Sequence, residues 1–117
     1  MNKLLAISAS LIGLLAASQA SAQGRTYAID GYDMNCATGS GGEGIISVGS
    51  GTFTITETQY DRQSGLTELG DGWVEADYAT MEEGTPGESQ RIRIRATDDT
   101  VEIKRGDGQE FIGARCR

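Results

Sequence analysis

The chain has 117 residues, 17 acidic against 10 basic and no histidine, for a formal charge of −7. That balance repels a polyanion such as nucleic acid, and an anionic membrane surface likewise. Without histidine, zinc loses its usual nitrogen ligand and a thiol loses the partner that would lower its pKa.

The sequence opens Met1-Asn2-Lys3, runs from Leu4 to Ala17 without a charge, and closes that stretch on Ala20-Ser21-Ala22. A short basic start, an apolar run and a small-residue triplet are the parts of a cleavable secretory signal. The run is shorter than the roughly 20 apolar residues a membrane span needs, and Ser8, Ser10 and Gly13 dilute it. Cleavage is expected after Ala22, leaving Gln23 as the new N-terminus, with a cut after Ala20 as the alternative. The first cysteine is Cys36, so no lipid-anchored cysteine stands at the junction. The expected organisation is a signal peptide over 1–22 and one exported domain over 23–117. That domain has 95 residues and a formal charge of −8, and no stable membrane anchor after cleavage. Its expected location is periplasmic or secreted.

Sixteen of the 17 glycines fall after residue 22, against the single Pro86, and no segment repeats its apolar residues at helical spacing. Apolar residues instead alternate between glycine-marked turns, the period-2 pattern of strands with one buried face. The first expected strand is Thr26 to Asp30. Next comes Gly39-Ser40-Gly41-Gly42-Glu43-Gly44, which spells a dinucleotide-binding glycine pattern. It leads into Ile45-Ile46-Ser47-Val48, which reads as a strand, and Glu43 would repel phosphate, so the motif is read as a loop. Strands are expected over Gly44 to Val48 and Thr52 to Thr58. In the latter, Glu57 shares the parity of Phe53 and Ile55. Either it points inward as a carboxylate that must be paired or protonated, or the strand ends there and leaves it exposed.

Gly72 to Thr80 forms the next strand, with Trp73 and Tyr78 on opposite faces. Trp73 sits with Glu75 and Asp77, either as an exposed binding aromatic or packed over the stem of Arg95. A connection over Met81 to Gly87, turning near Gly84, opposes Val74 to Ile94, Ala76 to Ile92, Glu75 to Arg93 and Asp77 to Arg91. Arg91 to Ala96 alternates charge with apolar groups. A two-residue loop at Asp98-Asp99 pairs Ile94 with Ile103, Ala96 with Val101 and Arg95 with Glu102. A second such loop at Asp107-Gly108 pairs Ile103 with Ile112 and Val101 with Ala114, and parity then turns Cys116 inward. Arg105-Gly106-Asp107 is read as part of that hairpin and not as an adhesion motif. The acidic pairs Asp30 with Asp33, Glu82 with Glu83 and Asp98 with Asp99 match no calcium loop and are read as solvated turns.

The fold class that follows is all-β, a small antiparallel barrel or sandwich of about seven short strands. Cys36 and Cys116 have no C-x-x-C spacing, and in an oxidising compartment they are expected to pair. Closing a loop of about 80 residues contributes roughly 4 to 5 kcal/mol on the chain-entropy model.

The order Tyr27, Cys36, Arg115-Cys116 resembles a group of small exported, cysteine-containing β-proteins of Gram-negative bacteria. A second cysteine pair in that group would fall where this chain has Tyr60 and Thr80, near the retained Glu57 and Glu83-Gly84. The resemblance implies a one-disulfide β-domain and no activity. The periplasmic lysozyme inhibitors offer a second likeness in size, fold and charge. Their Ser-Gly-x-x-Tyr loop is half kept as Ser64-Gly65, with Glu68 at the tyrosine position.

No nucleophile stands with a base, so the expected function is a non-enzymatic binding domain for an envelope protein or a small ligand. No catalytic residue, cofactor or metal is assigned. A lysozyme-type inhibitor and a carboxylate hydrolase using Glu57 are the alternatives. Glu57, Tyr60 and Trp73 are the candidate binding residues.

Overall fold

The structure is a computed structural model that describes residues 24–30, 33–39 and 41–117, with the side chains of Asp33 and Met34 excluded. The expected signal over 1–22 and its cleavage at Ala22 and Gln23 lie outside the described residues, as does Ser40.

Among the described residues nine strands follow in chain order: β1 (Thr26–Ile29), β2 (Ile45–Val48), β3 (Thr52–Ile55), β4 (Thr58–Arg62), β5 (Thr67–Gly70), β6 (Trp73–Glu82), β7 (Thr85–Ala96), β8 (Thr100–Arg105) and β9 (Glu110–Arg115). All pairings are antiparallel and join neighbours in sequence, except that β4 passes over β5 to pair with β6, and β1 meets β9 through Tyr27 opposite Arg115 and Ala28 opposite Ala114. The β4–β6 pairing closes eight of them into an up-and-down barrel, leaving β5 as an extra strand beside the start of β6. The closed barrel settles the choice between barrel and sandwich, and the strand number rises from about seven to nine.

The additional strands are β4 and β5. Thr58–Arg62 offers one buried apolar residue, Tyr60, and Thr67–Gly70 is exposed throughout, so neither carries an alternating signature. They run along one edge of β6, joined by a bulged segment in which the Asp77 amide donates to Ser64 Oγ at 2.9 Å.

Alternation fills the interior. Tyr27, Ile46, Tyr60, Ile92, Val101 and Ile103 are nearly inaccessible and belong to one cluster. Phe53 stacks on Tyr60 with ring centroids 4.5 Å apart and meets Tyr78 edge-on at 5.1 Å. Contacts of this kind are worth about 0.5 to 1.5 kcal/mol beyond the area they bury. The wall is tight at Gly113, where a Cβ would stand 2.9 Å from Tyr27 Cβ and 3.1 Å from Ile46 Cδ1.

The β6–β7 and β7–β8 registers are those read from the sequence: Val74 opposes Ile94, Glu75 opposes Arg93 and Arg95 opposes Glu102. The β8–β9 register differs by one residue. Ile103 faces Phe111 and Val101 faces Gly113, because the loop holds three residues, Gly106-Asp107-Gly108. Arg105 N–H donates to the Gln109 carbonyl, and Gly108 adopts a left-handed φ of 92°. A type I turn followed by a left-handed glycine is the standard three-residue hairpin. The slip sends Ile112 outward, 57% exposed, and turns Cys116 away from the interior parity.

Cys116 finds its partner outside the barrel. Ala28 and Ile45 occupy outward positions yet are buried. A 3-10 helix (Asp33–Thr38) packs against β1, and the return segment brings Gly42 close enough that its Cβ would stand 3.2 Å from Ile45 Cγ1. The flap is tied internally by Asn35 Nδ2 donating to the Glu43 carbonyl at 3.0 Å. The Cys36–Cys116 disulfide, with Cα atoms 5.6 Å apart, fastens it to the end of β9. The glycine-rich segment is thus part of a cover leading into β2, with no helix after it. A disulfide of this kind fits an oxidising compartment. Among the described residues no helix is long and apolar enough to cross a membrane.

Candidate functional site

At one end of the barrel the wall rises into the β6–β7 hairpin. Its tip is a two-residue turn, Glu83-Gly84, with φ of 49° and 79°. Both being positive fits the mirror-image turn whose twist matches paired strands. The turn falls near Gly84 as the sequence suggests, and the strands stay paired to Glu82 opposite Thr85 through most of what the sequence reads as a connection over Met81 to Gly87. Residues 81–89 are all exposed. On its far side β7 pairs with β8 only from Ile92 onward, so Thr85 to Gln90 present a free edge. Pro86 lacks a donor there, and a bulge at Gly87 seats Thr80 Oγ1, which donates to the Glu88 carbonyl at 2.9 Å. Proline and bulges are how natural sheets blunt an edge against strand addition.

The hairpin, the β3–β4 turn and the base of β8 enclose a cleft of about 640 Å³. Four carboxylates line it: Glu57 from the β3–β4 turn, Glu82 and Glu83 from the hairpin tip, and Glu88 from β7. Glu57 is exposed, because β3 ends at Ile55 and Thr56 takes a φ of 54° to turn the chain. The second of the two sequence readings of Glu57 therefore holds. Glu82 is held by Thr58, whose hydroxyl donates to Oε1 at 3.1 Å.

Among the described residues one cation faces the cleft, and it is already engaged. Arg105 lies 2.9 Å from Asp107 Oδ2 and donates from Nε to Gln90 Oε1 at 3.2 Å. The Arg-Gly-Asp tripeptide is thus closed on itself through its first and third side chains. The cleft keeps a strong net negative charge, and exposed carboxylates in a concave wall focus that field on cations.

Tyr60 forms the floor. It is 1% exposed, its ring is clamped by Phe53, and its hydroxyl forms no hydrogen bond among the described residues. Burial pushes its ionisation above the ordinary phenol value. Arg105 pulls the other way, while Asp107 and Glu82 add to the rise. The phenol therefore stays neutral, able to donate or accept.

Of the three candidate binding residues, the structure brings Glu57 and Tyr60 to this cleft and leaves Trp73 out. Trp73 lies on the outer wall between Arg95 and Lys104, whose charges stand 4.8 and 4.9 Å from its ring centre. Arg95 does cover Trp73, with its guanidinium over the ring where the sequence suggests its stem. Around it runs a ladder of opposite charges, Arg91 with Asp77, Arg93 with Glu75 and Arg95 with Glu102 at 2.6 Å. Arg95 holds the Glu102 carboxyl below its usual range.

Glu88 and Gln90 are cleft residues that the sequence does not single out, and Arg105, read there only as part of a hairpin, joins them. The available signal was the spacing of Glu82, Glu83 and Glu88 about the Glu83-Gly84 turn. Ser64-Gly65 lies away from the cleft, with the Ser64 hydroxyl occupied by the Asp77 amide. Among the described residues no three Asp, Glu or Cys side chains are placed to hold a metal ion. No protein-family model, curated protein or solved structure matches this chain.

Proposed function

We propose that this is a non-enzymatic binding domain of the periplasm or the secreted space, and that its site is the acidic cleft, which receives cationic groups. The observation that carries the reading is the gathering of Glu57, Glu82, Glu83 and Glu88 around one concavity whose single arginine is neutralised from within. Binding is favoured over hydrolysis because all four carboxylates are exposed. A carboxyl that acts as an acid near neutral pH is held protonated by an apolar setting, and none of these has one.

A basic protein is the simplest probe. The domain should bind a cationic protein such as lysozyme at low ionic strength, weaken as salt rises, and lose binding in the E82Q/E83Q/E88Q triple variant. Absence of binding at low salt, or binding untouched by that variant, overturns the reading. The lysozyme-type inhibitor is its narrower form, favoured by the charge of the cleft. A turbidity assay in which cell walls lyse at an unchanged rate removes that form and leaves the binding site itself in place.

A further inference from the structure

The ligand class can be narrowed, and this step rests on the cationic-ligand reading above. A divalent ion needs several oxygens converging on one point, six to eight for calcium. The four cleft carboxylates line one cavity without any three being placed to hold an ion. Their charge is distributed, coming from a turn on one side and from the tip and inner strand of a hairpin on the other. Distributed charge matches a ligand whose own charges are spaced out. The cavity volume, about 640 Å³, lies within the span typical of small-molecule sites, roughly 300 to 1,000 Å³. A peptide adding itself as a strand to the free edge of β7 is opposed by Pro86 and by the bulge at Gly87.

A second observation is independent of the carboxylates. The Tyr60 hydroxyl sits on the cleft floor beneath a nearly inaccessible ring and has no partner among the described residues. It lines the cleft and is available there to an incoming donor. An ammonium group offers N–H donors to the phenol oxygen, and the methylene spacers between ammonium groups suit the ring of Pro86 and the methyls of Thr58 and Thr80 along the wall.

We propose that the cleft binds a linear aliphatic polyamine, its ammonium groups distributed over Glu57, Glu82 and Glu88 and one of them donating to the Tyr60 hydroxyl.

Titration calorimetry with spermidine on the oxidised domain tests this, with putrescine and magnesium chloride as comparison ligands. Spermidine should bind more tightly than putrescine, and magnesium at matched charge should not displace it. Y60F should weaken spermidine by about tenfold or more, as loss of a hydrogen bond to a charged group implies. E82Q and E88Q should each weaken it roughly two- to fivefold, the worth of an exposed ion pair. Thermal melts of the three variants establish that they are folded. Equal displacement by magnesium, or a Y60F variant that binds spermidine as the parent does, overturns the proposal. If lysozyme binds through the cleft and spermidine does not, this inference falls and the cationic-ligand reading stands. If neither binds, both fall.

Discussion

The flap over β1 and β2 and the hairpin at the mouth are both excursions from the same barrel wall, and they solve opposite problems. The flap carries little regular structure, yet it shelters Ala28 and Ile45 and is locked by a covalent bond. The hairpin stays paired to its tip on either side of the bulge at Gly87, yet every residue from 81 to 89 is exposed and no cross-link holds it. Where this small domain needs closure it uses apolar burial and a disulfide. Where it leaves an opening, it lines the opening with charge. Stability and recognition are thereby assigned to different parts of the molecule, and a perturbation of one should leave the other largely intact.

The largest effect expected from breaking that division is at the bridge. Replacing both cysteines, C36S/C116S, should lower unfolding free energy by about 4 to 5 kcal/mol for a loop of this length, read from urea denaturation. Cleft binding by the protein that remains folded should be unchanged. Loss of binding in step with stability would show that the two regions are coupled. Next comes I45A beneath the flap, at about 2 to 5 kcal/mol. A cost near zero would mean that Ile45 is not sealed by its cover.

At the hairpin, G84A places a side chain at a left-handed φ of 79° and should cost about 1 kcal/mol. The same measurement on E82Q should move stability by only a few tenths of a kcal/mol while weakening spermidine. A variant that loses several kcal/mol there would place structural duty on the mouth. The smallest effect is alkaline. Burial raises the Tyr60 and Tyr78 ionisations, opposed by Arg105 at the first and Arg62 at the second. A phenol that ionises later in the folded state than in the unfolded one contributes its full stability below about pH 10 and loses it as the pH climbs through the folded value. Difference spectra of the parent against Y60F and Y78F isolate these two of the four tyrosines, and their phenolate absorbance should appear late and coincide with unfolding. Absorbance from either ring rising at the ordinary phenol pH in the folded protein would mean that this ring is open to water.

The parts of this arrangement that could be read from the sequence are those governed by tight two-residue turns. Arg91 to Ala96 alternates so regularly that fixing a turn at Asp98-Asp99 fixed five cross-strand pairs, and the charges Arg95 and Glu102 fell opposite one another. One residue further into the next loop, the same method failed. Gly106-Asp107-Gly108 and Asp107-Gly108 are both acceptable hairpin loops by composition, and Val101 finds small or apolar neighbours in either register. The difference lay in whether Ile112 or Phe111 faced inward, and the interior took Phe111 with Gly113 because Tyr27 leaves no room for a larger group. Packing between distant segments decided it, and spacing along the chain does not contain that. The cleft was half visible for a related reason. Glu57 drew attention as a carboxylate at odds with a simple alternation and Tyr60 as the residue standing where the resembled group would have a cysteine, whereas Glu88 and Gln90 look like ordinary surface residues until the hairpin is seen to overhang Tyr60.

The placement of the disulfide has one more outcome. The strands follow one another around the wall in chain order, so the seam between β1 and β9 is the one place where the two extremes of the fold are side by side, and the bridge from Cys36 to Cys116 ties them across it. Covalently, the oxidised polypeptide between those residues is a ring. Proteolytic scission between Glu83 and Gly84 would open that ring without releasing a fragment. The nicked molecule would keep its mass under non-reducing conditions and carry two fresh chain ends at the rim of the acidic cleft, a ready attachment point for a reporter.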